Sequence, residues 1–537
     1  MEAGRTTPWA ECAGVFLAAI RRPSRAASGL AWLLAMALPA VVAGGETLTR
    51  KADSFYTPVH MNRGDLLRFT LANGQVRNVE VVDCGIDTRK VGGLQWTLWA
   101  DVRIDGHLLR LVYSPFDMKA LSPPKVVNGM RLGLDGVKGL PEAVGWAEKK
   151  TGQHPAANPP ADVRLWVNDA SMPLLPNVHC WFDLAQHLGK AVDNLTPGDY
   201  ALRQDRDIHP ASSRLAGNQK TGWLGGWTYG VHCGLDLQLK VGTRLFCVTD
   251  SGIWRGYDAP DGTGQNSDSL HYVVVRDNGQ EWWFGNAHCD RVEAVKDKPM
   301  KAGTVYALSG RKRAGIPHAH ASVRIRREGR WEYALNPWPI MWQGLRNQQA
   351  AAGLPCPEIA PLAPARAGQK IQFCAESPRR DGGSDKVQYH WLFDDGTSLT
   401  GRQVAKSFDR TGLHQAILIV HDANGADLAE QFVAVGPGGG KREPWVSRGI
   451  YAMPPRISAG AKVTFGVEAN DESPNTLRYS WDFGDGVKTD GEGADAKAQD
   501  RSLEHTYAKP GRYYVIVTVT ANESALSRLD WYALDVE

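Results

Sequence analysis

The chain has 537 residues, which is too long for one ordinary hydrophobic core and predicts three or more domains. Hydrophobic residues make up 43% and charged residues 22% of the sequence, a balance typical of folded domains rather than disordered chains. The net charge is only +3, so the overall charge gives no support to a nucleic-acid partner.

The N-terminus has the layout of a secretory signal peptide. An apolar run, "GLAWLLAMALPAVVAGG" (29–45), follows the basic residues Arg21, Arg22 and Arg25. The small residues at 41–43 suit cleavage, so we expect residues 1–43 to be removed. The alternative is an uncleaved membrane anchor, against which Pro39 inside the run argues. The mature protein is then secreted, periplasmic or at the cell surface, with no stable membrane span.

Eight cysteines are present, and cleavage would remove Cys12 and leave an odd number. In an exported protein this predicts some disulfides and at least one free thiol. Cys356 with Cys374 is an attractive local pair, and Cys84 with Cys180 is a second candidate. No Cys-x-x-Cys pair occurs, so a zinc ribbon has no support.

Residues 46–220 are predicted to form a β-rich accessory domain of unknown role. "LLRFTLANGQVRNVEVV" alternates apolar and polar residues on both sides of Asn73-Gly74, a strong hairpin signal. "HLLRLVYSP" and "DVRLWVND" are further predicted strands. No chemical motif is apparent in this part of the chain.

Residues 221–345 are again dominated by predicted strands, including "RLFCVTDSGIW", "LHYVVVRDNGQEWWFGNAH" and "TVYALSG". A turn is predicted at 277–279. The proline- and alanine-rich stretch 350–368 follows and is typical of a linker.

An internal repeat occupies the C-terminal part of the chain. Trp391 in "YHWLFDDG" and Trp481 in "YSWDFGDG" lie 90 residues apart, which is the size of a domain. The repeats are predicted at 355–437 and 445–537. The glycine-rich stretch 435–444 between them is expected to be a flexible joint.

Two histidines one residue apart in "IPHAHASV", His318 and His320, share a face if this segment is a strand. Upstream, His232 and Asp236 are four residues apart, and Gly234 between them lets the backbone pass close to a partner. Another histidine, His288, lies in "NAHCDRV". Three N/O ligands and a water make a catalytic zinc site, so His232, Asp236 and one further histidine could bind zinc.

The ordered pattern His-x-x-x-Asp, a lone His after a hairpin, then Pro-His-x-His resembles the M23 (lysostaphin/LytM-like) zinc endopeptidases over about residues 225–330. The resemblance implies one Zn²⁺ per chain bound by the metal ligands His232, Asp236 and His320. It implies that the catalytic residues His288 and His318 face the substrate without binding the metal.

Several residues depart from the pattern of this family. Family members usually have bulkier residues where Ala319 and Ala321 stand, and the residue two before the lone histidine, here Asn286, is often aromatic. Cys233 and Cys289 stand beside a ligand and a catalytic histidine and could form a disulfide. The accessory domain directly precedes the first ligand, so we also consider that it covers the cleft before activation.

The repeats resemble the PKD (polycystic-kidney-disease) β-sandwich domain, the second more closely through "WDFGDG" and "HTYAKPGRYYVIVTV". In this pattern the tryptophan fills a core and the Asp-Gly makes a tight turn. Asp394, Asp395, Asp482 and Asp485 could suggest calcium, but turn formation is favoured. Such modules accompany exported hydrolases as spacers or as binders of polysaccharide or protein surfaces.

The sequence therefore predicts a mainly β, multidomain protein: a β-rich N-terminal domain, an antiparallel β-sheet metallopeptidase domain and two Ig-like β-sandwiches. The resemblance implies an exported zinc endopeptidase that cuts peptidoglycan stem or cross-bridge peptides. One alternative is a secreted protease acting on extracellular protein. The other is a catalytically silent protein that binds cell wall or polysaccharide.

Overall fold

The protein is mainly β, with many sheets and few helices, as the sequence predicts. A computed structural model describes residues 45–90, 94–113, 123–143, 159–202, 224–227, 230–258, 270–310, 317–327, 330–376, 387–439, 442–454, 457–471, 477–492, 501–521 and 527–537. The predicted signal peptide lies outside these residues. None of the described helices is long and apolar enough to cross a membrane.

The described residues of the N-terminal part form nine strands and a short helix. They are β1 (Thr47–Lys51), β2 (Thr57–Met61), β3 (Leu66–Thr70), β4 (Val76–Lys90), β5 (Leu94–Ile104), β6 (His107–Tyr113), β7 (Lys125–Val127), β8 (Met130–Val137), α1 (Leu140–Ala143) and β9 (Val163–Asp169).

In the central part, the residues that the structure describes form twelve strands and two helices. They are α2 (Leu184–Leu188), β10 (Leu224–Trp227), β11 (Gly230–Cys233), β12 (Leu235–Leu237), β13 (Arg244–Phe246), β14 (Gly252–Asp258), β15 (Leu270–Asp277), β16 (Gln280–Ala287), β17 (Cys289–Val292), β18 (Pro299–Met300), β19 (Val305–Ser309), β20 (Ala319–Arg327), β21 (Arg330–Leu335) and α3 (Trp338–Ala351). Two 3₁₀ turns, Val192–Asn194 and Pro197–Tyr200, follow α2.

The C-terminal part consists of strands alone among the described residues. They are β22 (Glu358–Ile359), β23 (Ile371–Glu376), β24 (Gln388–Phe393), β25 (Ser398–Thr400), β26 (Gln403–Lys406), β27 (Gly412–Asp422), β28 (Gly425–Val435), β29 (Trp445–Met453), β30 (Lys462–Asn470), β31 (Leu477–Asp482), β32 (Lys488–Glu492), β33 (Arg501–Thr506), β34 (Gly511–Ala521) and β35 (Ser527–Val536).

Both hairpins that the sequence predicts at an Asn-Gly pair are confirmed. β3 pairs antiparallel with β4 around Asn73-Gly74, and β15 pairs antiparallel with β16 around Asn278-Gly279. In the second hairpin Asn278 and Gly279 have φ of 45° and 77°, values that only asparagine, aspartate and glycine adopt readily. Strand β16 therefore leaves this turn in a fixed register toward His288.

The N-terminal part and the first repeat share one sheet. Eight strands follow the order β2-β9-β8-β7-β28-β27-β24-β25, and β7 pairs in parallel with β28 where Val127 is opposite Phe432. Buried Asn128 reinforces this junction, because its Oδ1 accepts a hydrogen bond from the Ala434 amide at 2.9 Å. The first repeat is therefore built onto the accessory domain rather than tethered to it.

The central sheet has seven strands in the order β12-β20-β16-β15-β14-β18, with β21 also paired to β20. One buried cluster joins this sheet to α3 and to residues 174–202. That segment runs beside β13, where the Phe246 amide donates to the Trp181 carbonyl at 2.9 Å. The core under the central sheet thus draws on residues from both sides of residue 220.

The described end of the stretch between the repeats, from Arg442 onward, is held in place, which the expectation of a flexible joint did not foresee. Arg442 donates to Asp101 of the accessory domain through both terminal nitrogens, at 2.6 and 3.2 Å, and both side chains are buried. Asp101 also binds Arg110 in a bidentate pair. The guanidiniums of Arg110 and Arg442 both stack on the Trp445 ring, 4.7 and 4.0 Å from its centroid.

The two repeats pack against each other through an apolar cluster and a buried polar contact. Ile417, Ile419 and Leu428 of the first repeat join Ile516 and Leu529 of the second in that cluster. Beside it, the Gln415 side chain both accepts from and donates to the Leu529 backbone, at 2.9 and 3.0 Å. The two repeats are therefore joined by both apolar and polar contacts.

The predicted disulfides do not form in this structure. Cys84, Cys180, Cys356 and Cys374 are free, so neither Cys84–Cys180 nor Cys356–Cys374 is bonded. Cys289 is a thiol whose sulfur lies 3.8 Å from the Asn286 carbonyl oxygen, which leaves no bridge to Cys233. Sequence proximity had suggested only the Cys356–Cys374 pair, and Cys374 lies half-buried while Cys356 is buried.

Replacing Arg442 tests how tightly the stretch between the repeats is held. Arg442→Met removes one of two buried partners of Asp101, and we expect the free energy of unfolding to fall by about 1–3 kcal/mol. Arg103→Met is the matched control, because Arg103 pairs with Glu80 where both side chains are more than a third exposed, and we expect a cost below about 1 kcal/mol. Urea unfolding of the full chain measures both, and equal effects would contradict the buried clamp.

The surroundings of His414 in the first repeat favour its protonated form. Its Nδ1 lies 3.1 Å from Asp394 Oδ1 and its Nε2 lies 3.0 Å from the Arg410 carbonyl oxygen, so both nitrogens face acceptors. The ring stacks on Phe408 with centroids 4.0 Å apart. Burial opposes the charge, but the hydrogen bond and charge of Asp394 outweigh it and raise the pKa of His414 above its ordinary 6.5.

This raised pKa predicts a pH-dependent contribution to stability. A group whose pKa is higher in the folded than in the unfolded protein stabilises the fold fully at pH values below its unfolded-state pKa. This contribution is lost as the pH rises through the folded-state pKa. The stability advantage of the wild type over His414→Gln should therefore shrink as the pH rises above 6.5, the ordinary value. His421→Gln is the control of opposite sign, because burial and then His390 lower the pKa of His421. A pH-independent difference for His414→Gln, from urea titrations, would contradict the charged state.

Candidate functional site

The two faces of the central sheet differ in polarity at its β12–β20 edge. Leu235, Leu237, Ala319 and Ala321 are buried and belong to the hydrophobic cluster beneath the sheet. Side chains alternate along a strand, so Asp236 and His320 point to the opposite face. The small alanines that depart from the family pattern are thus core residues and not part of the polar face.

Asp236 and His320 form a direct contact on that face. Antiparallel pairing of β12 and β20 places them opposite each other. His320 Nδ1 lies 2.9 Å from Asp236 Oδ1, and the two residues are 9% and 6% exposed. Two of the three predicted metal ligands are therefore brought together, although 84 residues separate them in the chain.

Gly234 makes room for the imidazole of His320. A β-carbon at this position would lie 2.3 Å from His320 Nε2 and 2.5 Å from the Ala321 carbonyl oxygen. Real β-carbons do not approach other atoms so closely. The sequence prediction that this glycine lets the backbone pass close to a partner is consistent with that contact, and the partner is His320.

The two predicted catalytic histidines lie side by side next to this pair. The ring centroids of His288 and His318 are 4.4 Å apart, and both residues are buried. His318 Nε2 is 4.0 Å from Asp236 Oδ1. Four of the five predicted site residues are thereby gathered from three separate segments of the chain.

His288 is positioned by an unusual backbone conformation that sequence reasoning missed. Its φ is 62°, in the left-handed region, at the corner where β16 ends and β17 begins. Gly310 packs against this corner, since a β-carbon there would lie 2.7 Å from the His288 carbonyl oxygen. Gly310 also bridges to His318, so one glycine holds both histidine-bearing segments.

Asn286 stands where the motif that the sequence resembles often has an aromatic residue. It is fully buried, and its amide nitrogen donates to the hydroxyl of Tyr306 on β19. Burial is the main cause that raises the pKa of Tyr306 well above its ordinary value. The aromatic ring next to this position is therefore that of Tyr306 on β19. The sequence predicted the strand "TVYALSG" but gave no sign of this contact.

The fifth predicted site residue is His232, and the structure describes only its backbone. Its strand β11 pairs with β10, with His232 opposite Gly225. Its side chain lies outside the described part of the chain. Among the side chains that are described, no group of three or more His, Cys, Asp or Glu residues is arranged to hold a metal ion.

The described donors nevertheless fit zinc in type and separation. Imidazole nitrogen and carboxylate oxygen are common zinc ligands. Two such ligands on one tetrahedral zinc, at about 2.0–2.2 Å each, lie about 3.3 Å apart. The 2.9 Å separation of His320 Nδ1 and Asp236 Oδ1 is within a few tenths of an ångström of that value. A third ligand from β11 would come from the strand directly before Gly234.

The C-terminal repeats match the family model of the PKD domain at residues 353–436 and 450–530. The chain contains two PKD domains. In each of them the predicted core tryptophan, Trp391 or Trp481, is buried. The Asp-Gly turns also hold as predicted, with Gly396 and Gly486 in the left-handed region. The match covers the two repeats and not the rest of the chain.

Several solved structures resemble parts of the chain. One is the PKD1 domain of Vibrio anguillarum Epp, with 21% identity over 18% of this chain and 98% of that chain and a TM-score of 0.14. Another is the catalytic domain of the antimicrobial peptidase lysostaphin from Staphylococcus simulans, with 18% identity over 21% of this chain and 81% of that chain and a TM-score of 0.18. A third is a catalytic-domain mutant of the prophage-encoded M23 protein EnpA from Enterococcus faecalis, with 21% identity, coverages of 22% and 83% and a TM-score of 0.17. No curated protein matches the chain.

Substituting Gly234 tests the contact with His320. Gly234→Ala should displace the imidazole of His320. For the zinc site that the sequence resemblance implies, it should weaken zinc binding by about 10–100-fold, as for other groups that orient a ligand. Gly252→Ala is the matched control: its β-carbon would clash equally, 2.5 Å from Cys247 Sγ and from Val273, but away from the site. Calorimetric zinc titrations compare the two, and unchanged zinc affinity in Gly234→Ala would contradict the contact.

Proposed function

We propose that the chain is an exported zinc-dependent endopeptidase that hydrolyses peptide bonds of peptidoglycan stem or cross-bridge peptides. The observation that carries the proposal is the meeting of Asp236 and His320 at 2.9 Å with His318 and His288 beside them. Buried histidines gathered around a carboxylate on the polar face of a sheet are costly unless they serve chemistry.

In this proposal His232, Asp236 and His320 hold one zinc ion. When bound, zinc lowers the pKa of its water toward neutrality and polarises a scissile carbonyl. Asp236 supplies a negative charge to the cation, and the tight fit of His320 over Gly234 fixes the orientation of its ring.

His288 and His318 do the proton work of the reaction. No glutamate of a His-Glu-x-x-His motif occurs in the sequence. One neutral imidazole can take a proton from the attacking water, and a protonated one can stabilise the oxyanion or protonate the leaving amine. Their rings are 4.4 Å apart, close enough to serve the same scissile bond. The left-handed backbone of His288 aims its ring toward His318.

The proposed substrate class rests on the resemblance of the motifs to the M23 family, on the predicted export of the protein and on the two PKD domains in the same chain. Exported location, implied by the N-terminal segment, suits an enzyme whose substrate lies outside the cytoplasm. The two PKD domains would present polysaccharide- or protein-binding surfaces beside the peptidase. Because they are docked on the accessory domain, they would hold the substrate at a fixed distance from the site.

The first experiment is elemental analysis of the purified mature protein beside four variants. We expect about one zinc per chain, and its loss in Asp236→Ala and His320→Ala. His318→Asn should keep zinc and lose about 10²–10⁴-fold in the rate of cell-wall digestion, because a proton-transfer group is removed. His390→Asn, on β24 of the first PKD domain, is the control and should change neither the zinc content nor the rate of cell-wall digestion.

Each result discriminates among the functions considered. Zinc present with digestion of a soluble protein but not of cell walls would favour a protease of extracellular protein. A folded protein that takes up no zinc when zinc is supplied would favour a silent binding protein. Full activity of His318→Asn would remove this histidine from the mechanism.

A further inference from the structure

A cavity of about 130 Å³ is lined by none of the residues of the histidine site. It is enclosed by α3, the 3₁₀ turn Pro197–Tyr200, strand β28 of the first PKD domain and strands β34 and β35 of the second. The volume is well above the roughly 10–15 Å³ that one water needs. Five aromatic rings line it: Tyr200, Trp338, Trp342, Tyr514 and Trp531.

Six charged side chains also line this cavity, and four of them are committed to ion pairs. The distances of these pairs are 2.8–2.9 Å. The pairs are Arg346 with Asp427, Arg512 with Asp535, and Lys125 with Glu430. The two remaining charges are Arg131 and Glu358, which have opposite signs.

Arg131 is a buried cation with an incomplete set of partners. It is 7% exposed, and its two terminal nitrogens donate to the Met172 and Ala170 carbonyls, both at 3.1 Å. Its Nε is buried and has no hydrogen-bond partner among the described residues. Burial lowers the pKa of Arg131, with Glu358 and Asp169 acting in the opposite direction. A buried cation without a bound carboxylate is unfavourable unless a ligand completes it.

Glu358 supplies the opposite charge at the exposed end of the same cavity. It begins β22, and its side chain makes no hydrogen bond or ion pair with any described residue. Arg131 and Glu358 share the cavity wall, yet no nitrogen–oxygen contact of 4.0 Å or less joins them. Neither Arg131 nor Glu358 is in an ion pair with another described residue. The space between them therefore suits a molecule that carries one positive and one negative charge.

We propose that this cavity binds a small zwitterion of free amino acid size. Its carboxylate lies on the side of the Arg131 guanidinium and offsets that buried positive charge, and its ammonium group faces Glu358. The indole rings favour the same orientation, because an ammonium group is attracted to aromatic faces. The Trp342 ring already lies 5.8 Å from the guanidinium carbon of Arg131. The site is independent of the peptidase proposal and joins both PKD domains to α3.

Calorimetry on the full chain tests the charge requirement with three probes: alanine, acetate and ethylammonium. We expect alanine to bind with a dissociation constant of about 1 mM or lower. Each single-charge probe should bind at least about tenfold more weakly, because it leaves one of the two groups unpaired. Tryptophan fluorescence should change with alanine, since three indoles line the cavity. No heat and no fluorescence change with alanine would show a water-filled void and overturn the proposal.

Two variants locate the binding. Glu358→Gln removes a charge from an exposed side chain and should weaken alanine binding at least about tenfold while leaving acetate binding unchanged. Glu376→Gln is its matched control, because Glu376 is the cross-strand partner of Glu358 and does not line the cavity. Arg131→Met should abolish binding of both alanine and acetate, with Arg366→Met as the exposed control. Alanine binding that survives Glu358→Gln undiminished would overturn the proposal even if Arg131→Met fails to fold.

Discussion

The antiparallel register between β12 and β20 is the constraint on which the site depends. Only three residue pairs make up this ladder, and the middle one is Asp236 with His320. A shift of one residue would turn both side chains into the hydrophobic cluster and bring Leu235 or Ala321 to the polar face. The apolar neighbours of Asp236 and His320 therefore fix the site as firmly as the polar residues do. Gly234 adds a second restraint, because only a residue without a side chain leaves space for the His320 ring.

The surrounding fold holds this short ladder in place from the apolar side. Residues 174–202 and α3 pack beneath the central sheet in a single cluster with Leu235 and Ala321. Phe55 and Tyr56 of the accessory domain reach the same cluster through Trp282, with ring centroids at 5.0 and 5.1 Å. These contacts are made on the face opposite the histidines. Through these contacts the accessory domain supports the sheet from its apolar side.

The PKD domains are part of the same body. A shared eight-stranded sheet, the buried Asp101–Arg442 pair and the apolar seam between the repeats leave little freedom for either domain to move alone. Gly438 illustrates the closeness of this packing: a β-carbon there would lie 2.1 Å from the Gly106 carbonyl oxygen. The same glycines that suggested flexibility in the sequence are used for close backbone approach. A glycine-rich stretch can serve either as a flexible linker or as a site of close backbone packing. Which of the two applies depends on the surface that the stretch meets.

The sequence by itself determined the strand-rich fold, the Asn-Gly hairpins, the repeats and the chemical identity of the histidine–aspartate set. These are local properties: alternation, turn residues and spacing act over a few residues and leave a direct pattern. The tertiary structure alone decided that the thiols stay unpaired, that the joint between the repeats is clamped and that Gly310 and Tyr306 support His288. Each of these depends on surfaces that meet across many tens or hundreds of residues, such as Asp101 with Arg442. Burial and ion pairing between such distant segments have no signature in local sequence, because the partner is chosen by packing.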